Sequence, residues 1–265
     1  VSDLPLIDAV RAGDVEKVRS LLAQQADPNT PDHDGTTALH WAAHRDDVES
    51  AESLLAAGAR VRVANRYGAT TVLVAATNGS AAMLTLLLDA GADPNVGLPE
   101  GETPLMRTAR AGRVDAVQVL LAHGAEIDAR EGWRGQTALM WAAVEGNTAA
   151  AQALSQAGAD VAARSDGGFT PLLFAVRHDQ QDTLRALVAA GADVNDTLPS
   201  GMSALAVATL NAHYDLGVWL LEQGADPNGA MDGVHALHAA AGSVGAWLHD
   251  WSRRHGGDPS YLRGG

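Results

Sequence analysis

The residues in this chain best suited to chemistry are its ten histidines, two pairs of which stand at helical spacing. His40 and His44 lie four apart and His235 and His238 three apart, so each pair would share one helix face. Two imidazoles on one face are the start of a zinc site or a proton relay. Neither pair sits in a His-Glu-x-x-His frame or has a third ligand nearby, so no metal site is expected. The 265 residues include no cysteine, which excludes thiolate ligands, disulfides and a cysteine nucleophile without fixing the compartment. There is no Gly-x-Ser-x-Gly elbow and no phosphate-cradling glycine loop. No carboxylate pair stands apart from the repeated pattern described below. Neither catalysis nor a cofactor is expected.

Arginine and the large aromatics offer a different chemistry, that of binding. The formal net charge of −14 disfavours nonspecific attraction to nucleic acid or to anionic membranes. No apolar run approaches the roughly 20 residues of a membrane-spanning helix. No nucleic-acid partner and no membrane insertion are therefore expected. Against this acidic background, the placement of the arginines becomes informative only once the elements that hold them are known.

Those elements repeat. Gly135 to Ala143 reads Gly-Gln-Thr-Ala-Leu-Met-Trp-Ala-Ala, and Gly35 to Ala43 reads Gly-Thr-Thr-Ala-Leu-His-Trp-Ala-Ala. The leading glycines Gly35, Gly68, Gly101, Gly135, Gly168, Gly201 and Gly233 are spaced 33, 33, 34, 33, 33 and 32 residues apart. A second set, Gly58, Gly91, Gly124, Gly158, Gly191 and Gly224, is spaced 33, 33, 34, 33 and 33. In each internal copy a Thr or Ser two residues after the leading glycine (Thr37, Thr70, Thr103, Thr137, Thr170 or Ser203) caps a short helix by accepting a backbone N–H. Pro104 and Pro171 follow at the first helical position, where a missing N–H costs nothing. Small pairs such as Ala42-Ala43 let this helix pack closely. A second helix ends at the Gly-Ala step in a left-handed turn, and a loop of about ten residues returns to the next glycine. No copy can bury its own apolar face, so neighbours must stack.

A 33-residue period with Thr-Pro-Leu and Gly-Ala-Asp-Pro-Asn landmarks resembles the ankyrin repeat. The likeness runs from Leu4 to about Ser260 as eight copies: residues 1–34, 35–67, 68–100, 101–134, 135–167, 168–200, 201–232 and 233–265. It implies an all-α solenoid, one repeat domain over 1–265, built from helix pairs with projecting hairpin-like loops. The first copy reads as an incomplete cap, with Gln25 where later copies have glycine, and Val15, Val18, Leu21 and Leu22 as its apolar stripe. In the last copy Trp247, Leu248 and Trp251 supply the stripe of a C-terminal cap. The resemblance also makes His40, His238 and His213 framework histidines that brace the loops. Copies with Leu73, Met106, Met140, Leu173 or Ala206 at the His40 position lose that bond and must hold their loops by packing.

Two departures from regularity stand out. The loop from Gly124 to Gly135 is eleven residues long, with the extra length at Glu131-Gly132-Trp133-Arg134, and the loop from Gly224 to Gly233 is nine. The helix after Gly146 is rich in alanine with a single leucine, Leu154, so it is expected to be less stable than its neighbours.

In ankyrin arrays the loop tips and the ends of the inner helices touch partners. Carried over position by position, this face collects Arg45, Arg66, Arg107, Arg110, Arg134 and Arg177 against Asp34, Glu100, Glu102 and Glu145. Trp41, Trp141 and Phe174, just before the small pairs, read first as core. Tyr67, Trp133 and Phe169, at the loop tips, read first as contacts, since Trp, Tyr and Arg are enriched at binding hot spots. The candidate partner-binding set is Arg45, Arg66, Tyr67, Arg107, Arg110, Trp133, Arg134, Trp141, Phe169 and Arg177. It implies a non-enzymatic protein-binding module with an acidic or mixed protein partner and leaves the oligomeric state open. A second reading is a structural or accessory segment of a larger protein, and a third is a small-molecule or metal-dependent role. A single lysine, Lys17, amid many Ala, Gly and Arg suggests a GC-rich bacterial genome. The wording of residues 37–47 and 213–228 resembles bacterial ankyrin proteins that often carry export signals. That implies an exported or periplasmic home rather than a cytoplasmic one. The chain starts at Val1 rather than Met, as a removed leader or a trimmed end would leave it, and no signal sequence decides between them.

Overall fold

A computed structural model describes residues 4–228, together with the backbone of Ala230–Met231 and Val234–His235. The chain divides between Trp133 and Arg134 into two compact units.

The first unit holds four helix pairs. They are Pro5–Ala12 (α1) with Val15–Ala23 (α2), and Ala38–Arg45 (α3) with Val48–Ala56 (α4). Thr71–Asn78 (α5) with Ala81–Asp89 (α6), and Pro104–Arg110 (α7) with Val114–Ala122 (α8), complete it. Odd-numbered helices pack in one row and even-numbered helices in another. The second unit repeats this with Ala138–Glu145 (α9), Thr148–Gln156 (α10), Pro171–Arg177 (α11), Gln181–Ala189 (α12), Ala204–Leu210 (α13) and Tyr214–Glu222 (α14). The described residues thus hold 14 helices, seven pairs. The expected eighth copy lies outside them, with Trp247, Leu248, Trp251 and His238, except for a two-residue antiparallel ladder between Ala230–Met231 (β1) and Val234–His235 (β2). The first copy is fuller than expected, for it has both helices of a pair.

The caps work as the Thr and Ser positions predict. Thr70, Thr103, Thr137, Thr170 and Ser203 each accept the N–H three residues on, at 3.2–3.4 Å. The alanine pairs 42–43, 75–76 and 142–143 are fully buried, so their small side chains let the odd row pack closely. After α9 the chain turns through Gly146 at φ +72°, and a Cβ there would collide with the Gln180 amide. Gln25 takes a left-handed φ of 64° without being glycine.

Neighbouring copies are tied by a side-chain clamp. Asn29 donates from Nδ2 to the Gly58 carbonyl at 3.0 Å, while its Oδ1 accepts the Arg60 N–H at 2.7 Å. Asn95 does the same to Gly124 and Glu126, and Asn195 to Gly224 and Asp226. Aspartates two residues earlier hold each asparagine by accepting its N–H. At the matching positions Arg62 substitutes a guanidinium, donating to the Gly91 carbonyl at 2.6 Å, and Ala162 has no side chain that could reach.

Candidate partner-binding surface

The loops are tight hairpin fingers. Asp32, Asn65 and Leu98 in the first unit, and Ser165 and Leu198 in the second, each donate to the carbonyl four residues on at 2.9–3.0 Å. Their side chains help: Asp32 accepts from Asp34 and Thr36, Asn65 from Tyr67 and Ala69, and Ser165 from Phe169. Some neighbouring fingers are joined by a backbone bond, Arg66 N–H to the Asp34 carbonyl at 2.9 Å and Asp166 N–H to the Arg134 carbonyl at 2.8 Å, whereas Pro99 and Pro199 at the matching positions have no N–H to donate. In the long loop Gly132 donates to the Glu100 carbonyl at 2.7 Å, taking the place of Arg66. This register puts the added residue between Gly132 and Gly135. The preceding Glu131 is buried, and its carboxylate accepts the Trp133 N–H at 2.5 Å. In the sequence Glu131 stands out only as part of the added length. Its alignment with Asp32, Asn65 and Ser165 was the signal for its turn-holding role.

In the first unit the aromatic tips project as expected. Tyr67 is 58% exposed and Trp133 57%. The Arg66 guanidinium lies 4.9 Å from the Tyr67 ring centroid, donates to its hydroxyl at 2.8 Å and reaches Asp34 Oδ1 at 2.7 Å. Arg107 donates to Thr77 Oγ1 at 2.8 Å, and its Nε stands 2.8 Å from Glu102 Oε1, a charge contact out of line for a hydrogen bond. Two of the arginines expected to make this face basic are therefore set against acids of the same face. Arg45 and Arg110 are exposed. Arg11 lies 4.7 Å over the half-buried Trp41.

In the second unit the aromatics turn inward. Trp141 and Phe174 are buried at 8% and 6% exposure, in keeping with their reading as core, and this removes Trp141 from the partner-binding set. Phe169 corrects the expectation of a contact residue: at 4% exposed it stacks on Phe174 with centroids 5.0 Å apart. The reason is positional. The residue just after the leading glycine turns inward also at Glu102 and Met202, both buried, whereas residues just before it face out. Arg177 lies 5.6 Å from the Phe169 ring centroid, and Arg134 is exposed. Burial, and then the nearby Arg134 charge, push the Arg177 guanidinium below its usual range. Burial and Arg177 together lower His178.

His40 and His213 belong to the framework, and His238 lies outside the described residues. His40, buried, accepts the Thr37 N–H on Nδ1 at 3.2 Å and places Nε2 3.2 Å from the Ala69 carbonyl in the next finger. His213 places Nε2 3.1 Å from the Arg177 carbonyl. Met106 and Met140 keep half of the His40 role, because their sulfurs accept the Thr103 and Thr137 N–H groups at 3.4 and 3.5 Å. Among the described residues no group of three or more His, Asp or Glu is placed to hold a metal. Nor is any helix there long and apolar enough to cross a membrane.

Paired helices stacked in two rows, with hairpin fingers between successive pairs, define a helical repeat protein. The family model described as "Ankyrin repeats (3 copies)" matches residues 6–97, 72–165, 132–198 and 162–231, so the chain belongs to the ankyrin-repeat family, which is usually non-catalytic and typically serves protein interaction. It is similar to the crystal structure of the human ASB11 ankyrin repeat domain, with 27% identity and a TM-score of 0.75, over 84% of this chain and 99% of that one. A comparison with curated proteins finds no match.

Proposed function

We propose that this chain is a non-enzymatic module that binds a protein partner through its finger tips and the ends of its odd-numbered helices. The observation that carries this reading is the pair of aromatic side chains, Tyr67 and Trp133, held more than half exposed on fingers that are otherwise tied down by hydrogen bonds. Keeping large apolar area in water gives no stability to the free chain, and it becomes favourable only when a partner covers it. Arg45 and Arg110 add exposed positive charge in the first unit and Arg134 in the second, which suits an acidic or mixed partner surface. The low lysine count is consistent with a bacterial source.

Cross-linking mass spectrometry in the native organism would identify the partner. Replacing Trp133 and Arg134 by alanine is then expected to weaken binding by at least about 2 kcal/mol, and unchanged affinity would remove both from the surface. The second reading, an accessory segment of a larger assembly, is favoured by a different observation: Tyr214, Val218 and Leu221 form an exposed stripe on one side of α14. A partner captured through that stripe and indifferent to Trp133 would favour it.

A further inference from the structure

In the first unit the ends of α1 and α3 meet around one indole ring. The Arg11 guanidinium, in the last turn of α1, lies 4.7 Å from the Trp41 ring centroid. Trp41, His44 and Arg45 share one face of α3, standing at i, i+3 and i+4. The His44 ring is edge-on to Trp41, with centroids 5.8 Å apart. Arg45 reaches back to the preceding copy. Its Nη2 lies 2.7 Å from the point that a Cβ on Gly13 would occupy, and Gly13 closes α1 only two residues after Arg11. Two exposed guanidiniums from successive copies are thus gathered at the end of α1, beside a half-buried indole.

Neither guanidinium is matched by an acid. Among the described residues no carboxylate stands within ion-pair distance of Arg11 or Arg45, whereas Arg19, Arg66 and Arg107 are set against Glu49, Asp34 and Glu102. Asp14 and Asp47, the acids of the adjoining turns, are used as helix caps, accepting the Lys17 and Ser50 N–H groups. The carbonyl end of α1 offers roughly half an elementary charge, which leaves two cations largely uncompensated. Trp41 Nε1 is buried without an acceptor, so packing and the stacked guanidinium, not a framework hydrogen bond, hold the ring.

We propose that Arg11 and Arg45, beside Trp41, form an anchor for an acidic segment of the partner, each taking the carboxylate of one of two Asp or Glu side chains a few residues apart. This rests on the protein-binding reading given above and deepens it by naming the chemistry recognised. A guanidinium lying over an aromatic ring keeps its N–H edge free to point sideways, the direction in which a carboxylate is taken bidentately. Stacking on Trp41 and seating against Gly13 restrain the two long side chains before a partner arrives, so less freedom is lost on binding. With a net charge of −14 the chain as a whole repels acidic peptides, so binding of one reports a local site and not general attraction.

The test is fluorescence anisotropy at low salt with a labelled ten-residue peptide of alternating Glu and Gly, amidated at its C-terminus. Its Gln counterpart is used in amidated and free-acid forms. The Glu peptide is expected to bind the intact chain and to lose about tenfold in affinity in R11Q and in R45Q. R60Q, at an exposed position outside the cluster, is expected to bind as the unmodified chain does. Neither Gln peptide is expected to bind. Circular dichroism confirms the fold of each variant, and R45Q remains decisive if R11Q fails to fold. The proposal is overturned if the intact chain does not bind the Glu peptide, if Glu and Gln peptides bind alike, or if folded R11Q or R45Q binds undiminished. A loss in R60Q as large as theirs would overturn it too, in favour of unlocalised charge. Binding of the free-acid Gln peptide alone would overturn the side-chain assignment in favour of a chain end. These outcomes are separate from those of Trp133 and Arg134 substitution, so the anchor can fail while the module reading stands.

Discussion

His40 shows how one side chain can hold two copies together and make them sensitive to pH. The Ala69 carbonyl can only accept, so Nε2 carries the proton and Nδ1 is left to accept from Thr37. That arrangement suits the neutral ring, and burial lowers its pKa below the ordinary 6.5. Below 6.5 the unfolded chain binds the proton that the folded chain resists, so this contribution is intact above 6.5 and is lost as pH falls. His123 has the opposite sign. The Val119 carbonyl first, and then Asp89, raise its pKa, so its contribution is present below 6.5 and is lost as pH rises through the folded value. We expect His40→Met to keep the cap, as Met106 and Met140 do, and to lose the Ala69 link, at a cost of about 1 kcal/mol at neutral pH. It should also flatten the decline in urea midpoint between about pH 7.5 and pH 5. A midpoint that still falls as steeply would place the acid sensitivity elsewhere. A gain is expected at Gln25, whose left-handed backbone glycine would adopt freely: Gln25→Gly should add up to about 1 kcal/mol in thermal or urea denaturation.

At the scale of elements, the clamp and the alanine-rich helix set the local strengths. Asp160 already orders the turn by accepting the Ala162 N–H at 2.9 Å, and only the amide is missing. Ala162→Asn should therefore supply bonds to the Gly191 carbonyl and the Asp193 N–H, adding about 1–2 kcal/mol. Helix α10 buries Ala150, Ala151 and Leu154 where α8 buries Ala116, Val117 and Leu120. Its amides are expected to exchange faster than those of α8, and equal protection would contradict the area argument. The caps, the small pairs and both glycine rulers were legible because backbone geometry demands those residue types wherever a copy turns. The inward turn of Phe169 was harder to read, since Thr36, Ala69, Glu102 and Gln136 at its position carry no common apolar signal. The pairing of Arg66 with Asp34 and of Arg107 with Glu102 was not legible at all: each joins residues whose distance depends on rotamers and not on period. A count of arginines against acids could not register it.

Over the whole molecule the excess of negative charge acts on both stability and recognition. Self-repulsion at −14 should make the fold less stable at low ionic strength. Raising NaCl from about 20 to about 200 mM is expected to raise the melting temperature, and a fall would show that specific ion pairs outweigh the repulsion. The same charge would slow the approach of an acidic partner, so its affinity must come from close contacts and not from long-range steering. The clamp carries a last consequence. The side-chain bonds that tie one copy to the next join residues only 29 to 36 positions apart. Each new copy thus adds on by closing a loop of about thirty residues, at a modest entropic cost that does not grow with the length already folded. A chain with such short-range wiring has low relative contact order and can begin to fold at several places. The growing polypeptide can therefore consolidate each copy soon after its successor is made, without waiting for a distant strand to arrive.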